Sequence, residues 1–505
     1  MIAPRFSGLF LLALVAAVGC TKREVPLELN IHVPKVDLKL DPHKMEDAYS
    51  MLIVSQLHRG LLRFNSGGDV VSDLAESWTE SPDRTTYRFK LKPSTFSNGD
   101  KITAKNVQLS FARIFLTGAG IGADLDYIEG AKELAKTKNL KVFGVRPISD
   151  NEVEFKLEHP SAIFLKHVAV ADCAVMPYQS FERIMDDPPD FSGPYKIETN
   201  SKDEVKIIKW RPDALDSKAP PQAIRFFRSA EPAVTLAKAS KTDSLDRDTI
   251  ENKDKNEFKS NGWEEWPTEL TGENFVILNP KYLSQELRRY LYLKVDPVEI
   301  AKILDDSHLR PAFGLIPNGL LGKLSAADVA PLRSEPATYT GKKVTFHLDC
   351  DLSGDREKKI VEYLKSVWSS DRITVIVNSL STGEKLKKMF EKTSEAVLGR
   401  KGVDYPDGFS ILTYFKGKYE TNYFHVDDPA IDVAVSNSIK EFDADKRGEL
   451  YKNVELQVLK HFTYVPLLFG SQASGLWSSK VKMVPSHPMG YHTISFETIE
   501  MRAGF

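Results

Sequence analysis

The sequence has few cysteines, and they are not arranged as a metal site would require. Three cysteines occur among 505 residues, at positions 20, 173 and 350, with no CxxC pair and no Cys/His cluster. Spaced cysteine and histidine pairs are the usual signature of zinc, so we expect no metal and no other cofactor. Cys173 and Cys350 lie far apart in the chain. We expect them to be two buried thiols rather than a disulfide.

A large excess of charge of one sign is also absent. Lys and Arg number 68 against 70 Asp and Glu, which gives a formal net charge of −2. This balance excludes a strongly basic nucleic-acid-binding protein and a highly charged disordered chain. The mean hydropathy of −0.30 excludes a membrane protein with many spanning helices.

The common catalytic motifs are missing as well. The sequence has no HExxH, no GxSxG and no GxxxxGK[ST], and its 11 histidines include no pair at i, i+4. These motifs mark zinc proteases, nucleophile elbows and phosphate-binding loops. Their absence favours a binding protein over an enzyme, although a triad assembled from distant residues remains an alternative.

One long apolar run lies at the N-terminus. Residues 1–20 read MIAPRFSGLFLLALVAAVGC. The run is shorter than the roughly 20 residues that a spanning helix needs and has the form of a secretory signal peptide. Its end, Ala17-Val18-Gly19-Cys20, resembles a bacterial lipobox. That resemblance implies removal of residues 1–19, lipidation of Cys20 and attachment to a membrane surface; a plain signal peptide that contains a cysteine is the alternative.

The hydrophobic periodicity predicts a mixed α/β protein. Period-two alternation predicts strands near residues 87–91, 153–157, 344–348 and 373–377, and a hairpin over residues 195–207. Helical spacing predicts a helix that begins after Thr103, one that begins at Asp428-Pro429, one around Leu287–Leu291 and one within residues 445–462. For the last helix we expect Leu450, Val454, Val458 and Phe462 to share the inner side.

A set of short motifs over residues 38–116 resembles family 5 extracellular solute-binding proteins, the oligopeptide- and dipeptide-binding components of ABC importers. The motifs are Leu40-Asp41-Pro42, Gly60-Leu61-Leu62, Leu74-Ala75-Glu76-Ser77-Trp78, Ser81-Pro82-Asp83, Phe96-Ser97-Asn98-Gly99-Asp100 and Thr103-Ala104-Lys105-Asn106-Val107. Further likenesses follow at Ser192-Gly193-Pro194-Tyr195, Asp404-Tyr405-Pro406-Asp407 and Val465-Pro466-Leu467-Leu468-Phe469. Each motif alone is weak, but their order and spacing together are specific.

The resemblance implies an α/β, periplasmic-binding-protein-like two-lobe fold of type II, cluster C, with an extra inserted domain. Residues 20–59, 179–272 and 471–505 would form domain I, residues 60–178 the inserted domain II, and residues 273–470 domain III, the second lobe. It also implies a monomer in the bacterial periplasm that captures a short peptide and delivers it to an ABC permease and ATPase complex.

The same resemblance implies a set of ligand-binding residues. The residue that binds the peptide amine in such proteins matches Asp404, and the residues before it, Lys401, Gly402 and Val403, would line the pocket. Arg400-Lys401 departs from the apolar residues usual there, and these two cations either face the ligand or form a solvated surface. On the other lobe Asp47, Ala48 and Tyr49 would reach the ligand. Phe469 would stand near the cleft, or be a core residue of its strand.

Two other hypotheses stay open on this sequence. The first keeps the binding fold but changes the ligand to a metal complex, haem, an oligosaccharide or an opine. The second places an exported hydrolase, or an adhesion or sensor protein, on the same scaffold, because fold does not fix function.

Overall fold

The structure is a computed structural model, and it describes residues 27–45, 47–183, 185–187, 190–211, 217–245, 250, 252–266, 270–306, 309–352, 354–417, 422–471, 475–485, 490 and 493–502. The predicted signal peptide and the lipidation at Cys20 lie outside the described residues. Within these ranges no helix is long and apolar enough to cross a membrane.

The strands of the described chain follow in sequence order. They are β1 (Glu28–Val33), β2 (Leu62–Phe64), β3 (Val70–Ser72), β4 (Ala75–Glu80), β5 (Thr86–Leu91), β6 (Val145–Ser149), β7 (Glu152–Lys156), β8 (Tyr195–Asn200), β9 (Glu204–Lys209), β10 (Ala223–Arg228), β11 (Ser244–Leu245), β12 (Glu264–Glu265), β13 (Leu270–Leu278), β14 (Leu309–Pro311), β15 (Val344–Cys350), β16 (Ile373–Ser379), β17 (Ala396–Gly402), β18 (Tyr464–Ser471), β19 (Leu476–Trp477), β20 (Val481–Met483) and β21 (Glu500–Met501).

The α-helices alternate with these strands. They are α1 (Ala48–Leu57), α2 (Ala104–Thr117), α3 (Ala131–Thr137), α4 (Phe164–Val168), α5 (Ala233–Lys238), α6 (Asn252–Ser260), α7 (Gln285–Lys294), α8 (Pro297–Leu304), α9 (Ala326–Arg333), α10 (Asp355–Trp368), α11 (Thr382–Phe390), α12 (Phe409–Leu412), α13 (Pro429–Ser438) and α14 (Ala444–Leu459).

Three larger sheets organise the chain. A six-stranded mixed sheet has the order β14-β18-β13-β17-β15-β16, in which β15 pairs in parallel with β16 and β17. A four-stranded sheet, β1-β10-β9-β8, has its parallel pair at β1 and β10. The third sheet, β4-β5-β7-β6, is antiparallel throughout. Smaller sheets are β11-β19-β12, β2-β3 and β20-β21.

The predicted helix starts and strands are confirmed where local chemistry defines them. Helix α2 begins after Thr103, whose backbone N–H donates to Asn106 Oδ1 at 2.7 Å, and ends at Gly118 in the left-handed region. Helix α13 begins after Asp428, whose side chain accepts from Ala430 N at 2.9 Å. Strands β8 and β9 pair as the predicted hairpin. Cys173 and Cys350 are buried free thiols, as expected.

The predicted inner side of helix α14 is correct at Val454 and Val458, which are buried, and wrong at its first and last positions. The helix forms, but Leu450 is 40% exposed and Phe462 lies beyond the helix end, where its φ is +51°. Besides Val454 and Val458, the buried side carries Tyr451 and Glu455.

Two large apolar clusters and two small ones lie among the described residues. One large cluster draws residues from 61–175 and 275–468, and the other large one from 29–57, 195–226 and 477–501. In the second cluster, Gln56 on α1 joins two segments that lie far apart in the sequence. Its Nε2 donates to Ile494 O at 2.9 Å, and its Oε1 accepts from Phe496 N at 2.8 Å. The exact domain boundaries given above stay a prediction.

A buried ion pair links the segment before α1 to helix α2. Arg113 donates to both carboxylate oxygens of Asp41, at 2.7 and 2.5 Å, and contacts His43 Nδ1 at 3.0 Å. Burial alone would raise the pKa of Asp41, but Arg113 outweighs it and holds the pKa below its ordinary value. Burial lowers the pKa of His43 to about 3, so this imidazole is neutral at pH 7. The Leu-Asp-Pro motif thus supplies a structural contact.

Candidate ligand-binding site

The site lies at the end of strand β17 of the six-stranded sheet, where Asp404 follows the strand. Strand β17 lies between β13 and β15. At Gly399 it passes so close to Phe275 that an added Cβ would lie 2.5 Å from the ring, so a larger residue is not accommodated there. After the strand, Val403 is buried and Asp404 emerges with 44% of its side chain exposed. A carboxylate is thereby presented from a rigid element.

Asp404 is held by two donors from its own chain. Lys401 Nζ lies 2.9 Å from Oδ1 and 3.2 Å from Oδ2, and the Tyr414 hydroxyl donates to Oδ2 at 2.8 Å. The Lys401 ammonium also lies 4.5 Å from the centroid of the Tyr414 ring, within range of a cation–π interaction. Of the two cations considered above, Lys401 is thus the one directed at Asp404, whereas Arg400 is exposed.

The electrostatics of this group favour the ion pair. Burial alone would lower the pKa of Lys401, but the charge of Asp404 outweighs burial and raises the pKa above its ordinary value. Burial and the same carboxylate raise the pKa of the Tyr414 hydroxyl well above its usual range. Lys401 is therefore charged and Tyr414 protonated at pH 7, as both hydrogen bonds require.

Glu273 lies beside this group on the neighbouring strand. In the β13–β17 pairing Glu273 stands directly opposite Lys401, and in the β13–β18 pairing it stands opposite Phe469. Residues opposite each other in a ladder project from the same face of the sheet. Glu273 is 1% exposed, and its Oε1 has no hydrogen-bond partner. Burial first, and then the nearby Glu455, raise its pKa well above the ordinary value.

Glu455 on helix α14 is a second buried carboxyl group, and its charge acts on Glu273. Its Oε1 accepts from the backbone N–H of Leu315 and from the Tyr464 hydroxyl, the latter at 3.3 Å. Burial raises the pKa of Glu455 to about 7. Glu273 and Glu455 are thus two buried carboxyl groups close enough for the charge of Glu455 to act on Glu273.

Helix α4 packs against the loop that follows Asp404. Lys166 Nζ donates to Asp407 Oδ2 at 2.8 Å and to Pro406 O at 2.9 Å. His167 Nε2 lies 3.0 Å from the Tyr405 hydroxyl, and its Nδ1 lies 3.0 Å from the Tyr127 hydroxyl. Burial lowers the pKa of His167 to about 3, so the ring is neutral. These contacts join segment 60–178 to segment 273–470 next to Asp404.

Asp172 adds a carboxylate from the α4 side. It lies in a short 3-10 turn, Ala171–Cys173. Burial raises its pKa to about 7, and the negative charge of Asp404 contributes to the rise. Carboxylates from two different segments therefore act on each other across this region, and one cation, Lys401, is bonded to Asp404.

The other predicted site residues have local roles in the structure. Asp47 is the N-cap of α1 and accepts from Tyr49 N at 2.9 Å and Ser50 N at 3.0 Å, and Ala48 is the first residue of that helix. Tyr49 packs at the edge of the second apolar cluster. Phe469 is fully buried in β18. Their part in ligand binding stays a prediction.

A metal site is not formed by the described residues. Within the described ranges, no group of three or more His, Cys, Asp or Glu residues is placed to hold a metal ion.

Comparison with known proteins shows the family of this chain. The family model described as bacterial extracellular solute-binding proteins, family 5 Middle, matches residues 69–423. The chain belongs to the family 5 bacterial extracellular solute-binding proteins. Solute-binding proteins are a non-enzymatic class.

The periplasmic oligopeptide-binding protein OppA of Salmonella typhimurium is 23% identical over 501 residues, which cover 91% of this chain and 91% of OppA. The probable D,D-dipeptide-binding periplasmic protein DdpA of Escherichia coli is 22% identical, covering 97% of this chain and 98% of its own.

Solved structures establish the fold of this solute-binding protein. Haemophilus influenzae OppA in complex with the peptide RPPGFSPFR superposes with a TM-score of 0.78 at 19% identity, covering 94% of this chain and 99% of that one. AgaA from A. tumefaciens R10 in complex with agropinic acid superposes with a TM-score of 0.76 at 17% identity, covering 95% and 99%. The predicted two-lobe α/β fold of periplasmic binding proteins is confirmed.

Sequence reasoning missed several residues of the site. Tyr414 is ten positions after Asp404 and belongs to no recognisable motif. His167 and Lys166 come from a segment more than two hundred positions away. Glu273 did carry a signal, because it is a charged residue inside the apolar strand sequence LTGENFVIL. Glutamate is almost never fully buried unless it is paired, so its position inside such a strand is unusual.

Proposed function

We propose that this protein captures short peptides in the cleft between its lobes and delivers them to an ABC transporter permease. The observation that carries the proposal is the half-exposed carboxylate of Asp404, held at the end of a rigid strand. Oligopeptide-binding and D,D-dipeptide-binding relatives that align over most of the chain support it. A peptide ammonium removed from water needs such a carboxylate. Addition of the peptide as an extended strand would satisfy its backbone.

The remaining predicted contacts complete this proposal. Lys401, Gly402 and Val403 would line the pocket on one lobe, and the start of α1 at Asp47–Tyr49 would face it from the other. Phe469, which is buried in β18, would stand near the cleft and support its wall. No catalytic step is assigned to any of these residues.

The test is ligand-induced stabilisation. Purified protein is heated with each member of a library of di- to pentapeptides, and a bound peptide raises the melting temperature. Asp404→Asn should weaken binding by about tenfold or more, since a charge-assisted contact is lost. Asp355→Asn is a matched control, because Asp355 also pairs with a lysine three positions away, Lys358 at 3.2 Å. No shift with any peptide would reject the proposal, and unchanged affinity of Asp404→Asn would reject the role of Asp404.

A non-peptide solute is the second candidate ligand. The observation that favours it is the Lys401–Asp404 ion pair, which offers both a cation and an anion to a small zwitterion. The structural neighbour AgaA was solved with agropinic acid. Thermal shifts with opines but not with any peptide would favour this candidate.

We further propose that the protein is exported and held on a membrane surface through lipidated Cys20. The observation is the small-residue sequence Ala17-Val18-Gly19 directly before the cysteine. A fractionated bacterial culture should show the wild-type protein in the membrane fraction and Cys20→Ser in the soluble one. Equal distribution of the two proteins would reject the anchor. We expect a monomer, which size-exclusion chromatography coupled to light scattering checks.

A further inference from the structure

We propose that Lys401 is an internal competitor for the ligand. It occupies Asp404 in the free protein and moves to Glu273 when a ligand ammonium takes its place. The inference rests on the proposed function, since it assumes that Asp404 receives the amine of a peptide. It assigns Lys401 and Glu273 as residues that set the affinity and amine specificity of the site.

The first step is that the ligand's position is already filled by an ammonium group. Lys401 Nζ contacts both oxygens of Asp404, at 2.9 and 3.2 Å. The net charge of this pair is zero. A peptide ammonium that approached Asp404 with Lys401 in place would meet a like charge at contact distance, which opposes binding. Capture of the amine therefore requires Lys401 to leave.

The second step is that Lys401 can leave while Asp404 stays in place. Lysine carries its charge on a flexible four-carbon stem. The Asp404 side chain is 44% exposed, whereas that of Lys401 is 23% exposed, so Asp404 presents the more open surface. Tyr414 continues to hold Oδ2 at 2.8 Å and keeps the carboxylate oriented. The exchange thus needs rotation of one side chain and no change of the backbone.

The third step is that a second carboxyl group is within reach. Glu273 is directly opposite Lys401 across the β13–β17 ladder. Such pairs have Cβ atoms about 4.5–5.5 Å apart on one face of the sheet, and a lysine side chain spans that distance. Glu273 is 1% exposed and its Oε1 has no partner. A buried carboxyl oxygen without a hydrogen-bond partner destabilises a fold, and a displaced ammonium would provide the partner that Oε1 lacks.

The charged state of Glu273 then follows from its surroundings. The titratable groups that face it are Glu455, Tyr423 and Tyr464, together with Lys401 on the adjacent strand. Without a cation, burial first and then Glu455 keep the pKa of Glu273 well above the ordinary value, which favours the neutral form. When the Lys401 ammonium arrives, Glu273 ionises and its proton passes to solvent water. The ligand ammonium and Lys401 then each have a carboxylate.

The experiment is a double-variant cycle read with two forms of one peptide. Calorimetric titration gives the dissociation constants of trialanine and N-acetyl-trialanine for the wild type, Lys401→Met, Glu273→Gln and the double variant. Lys401→Met should bind trialanine about fivefold or more tightly, with no gain for the acetylated form, because only an ammonium competes with Lys401. Lys358→Met, which breaks an exposed lysine pair with Asp355, should bind as the wild type does.

Glu273→Gln tests the second position of Lys401. Gln cannot ionise, so this variant should weaken trialanine binding about fivefold where Lys401 is present and leave it unchanged in Lys401→Met. Weaker binding of trialanine to Lys401→Met would overturn the proposal, because Lys401 would then be a direct ligand contact. If Glu273→Gln weakened trialanine binding equally in the wild type and in Lys401→Met, Glu273 would not be the second position of Lys401. Lys401→Gln replaces Lys401→Met if the latter does not unfold cooperatively. If no protein, wild type included, binds trialanine or any peptide of the library, the proposed function itself fails.

Discussion

The ammonium of Lys166 lies 2.8 Å from Oδ2 of Asp407, whose side chain has no exposed surface. Asp407 also accepts from the backbone N–H of Phe409 at 3.0 Å, through its other oxygen. The pair therefore fixes the loop that contains Asp404 against helix α4. A buried carboxylate with two donors is stable only as long as both donors remain.

Removal of Lys166 should be costly. Lys166→Met leaves the Asp407 carboxylate buried without its cation and should lower the free energy of unfolding by about 3 kcal/mol. Urea denaturation measures this loss. The double variant Lys166→Met/Asp407→Asn should recover part of the stability, because no buried charge remains. A double variant no more stable than the single one would show that the charge is not the cause.

His167 should impose a characteristic pH dependence. Its pKa is lowered to about 3 in the folded protein, whereas an unfolded histidine titrates near 6.5. The unfolded state therefore takes up a proton first. The contribution of His167 is intact above about pH 6.5 and is lost as the pH falls, by about 2 kcal/mol at about pH 5.

The measurement compares His167→Gln with the wild type in urea at pH 7 and about pH 5. Because glutamine does not titrate, the stability advantage of the wild type over the variant should shrink by about 2 kcal/mol at the lower pH. Tyr127→Phe removes the hydroxyl that contacts His167 Nδ1 without removing the titrating group. Its effect should be similar at both pH values. A constant difference for His167→Gln would contradict the prediction.

Arg113 should be among the most sensitive charged residues of the described chain. Its side chain is fully buried and donates to both oxygens of Asp41. Arg113→Met should destabilise the protein by about 4 kcal/mol, because Asp41 is left as an unpaired buried carboxylate. Lys44→Met, which removes a half-exposed cation near the same carboxylate, should cost less than about 1 kcal/mol. Denaturant titrations give the free energy of unfolding of both variants. Similar losses would show that burial of the Asp41–Arg113 pair is not what makes Arg113 sensitive.

Gly193 should not tolerate a side chain. A Cβ there would lie 2.5 Å from Leu57 C and 2.6 Å from Gln56 O, both backbone atoms. Gly193→Ala should destabilise the protein by about 3 kcal/mol, because backbone must move. Gly120→Ala has open space around its Cβ and should change stability by less than about 0.5 kcal/mol. Thermal unfolding of both variants provides the comparison.

The parts of the fold that sequence could predict are those fixed by neighbours in the chain. The start of α2 depends on Thr103 and Asn106, three positions apart, and the start of α13 on Asp428 and the proline that follows. Short-range hydrogen bonds of this kind are visible as residue patterns. Glu455 shows the limit of such patterns, because its burial is explained only by Leu315 and Tyr464, which surround it in space.

The candidate site was predictable only in part for the same reason. A local motif predicts Asp404 as a ligand-binding residue, and Lys401 departs from the residues usual before that motif. The structure adds that Lys401 bonds to Asp404, and that Glu273 stands opposite Lys401. That second relation is a matter of strand register between segments more than one hundred positions apart. A single sequence contains no local sign of such a register.

The hydrogen bonds of Gln56 have a consequence for how the chain folds. Its side chain is completed by Ile494 and Phe496, which lie 438 and 440 positions further along. Nearby, Arg59 bonds to Glu497 at 2.8 Å over a similar separation. Contacts between residues so far apart in the sequence form slowly, because a very long loop must close first. Helix α1 is therefore completed only by residues 438 and 440 positions further along the chain, so the unit around α1 is expected to assemble late in folding.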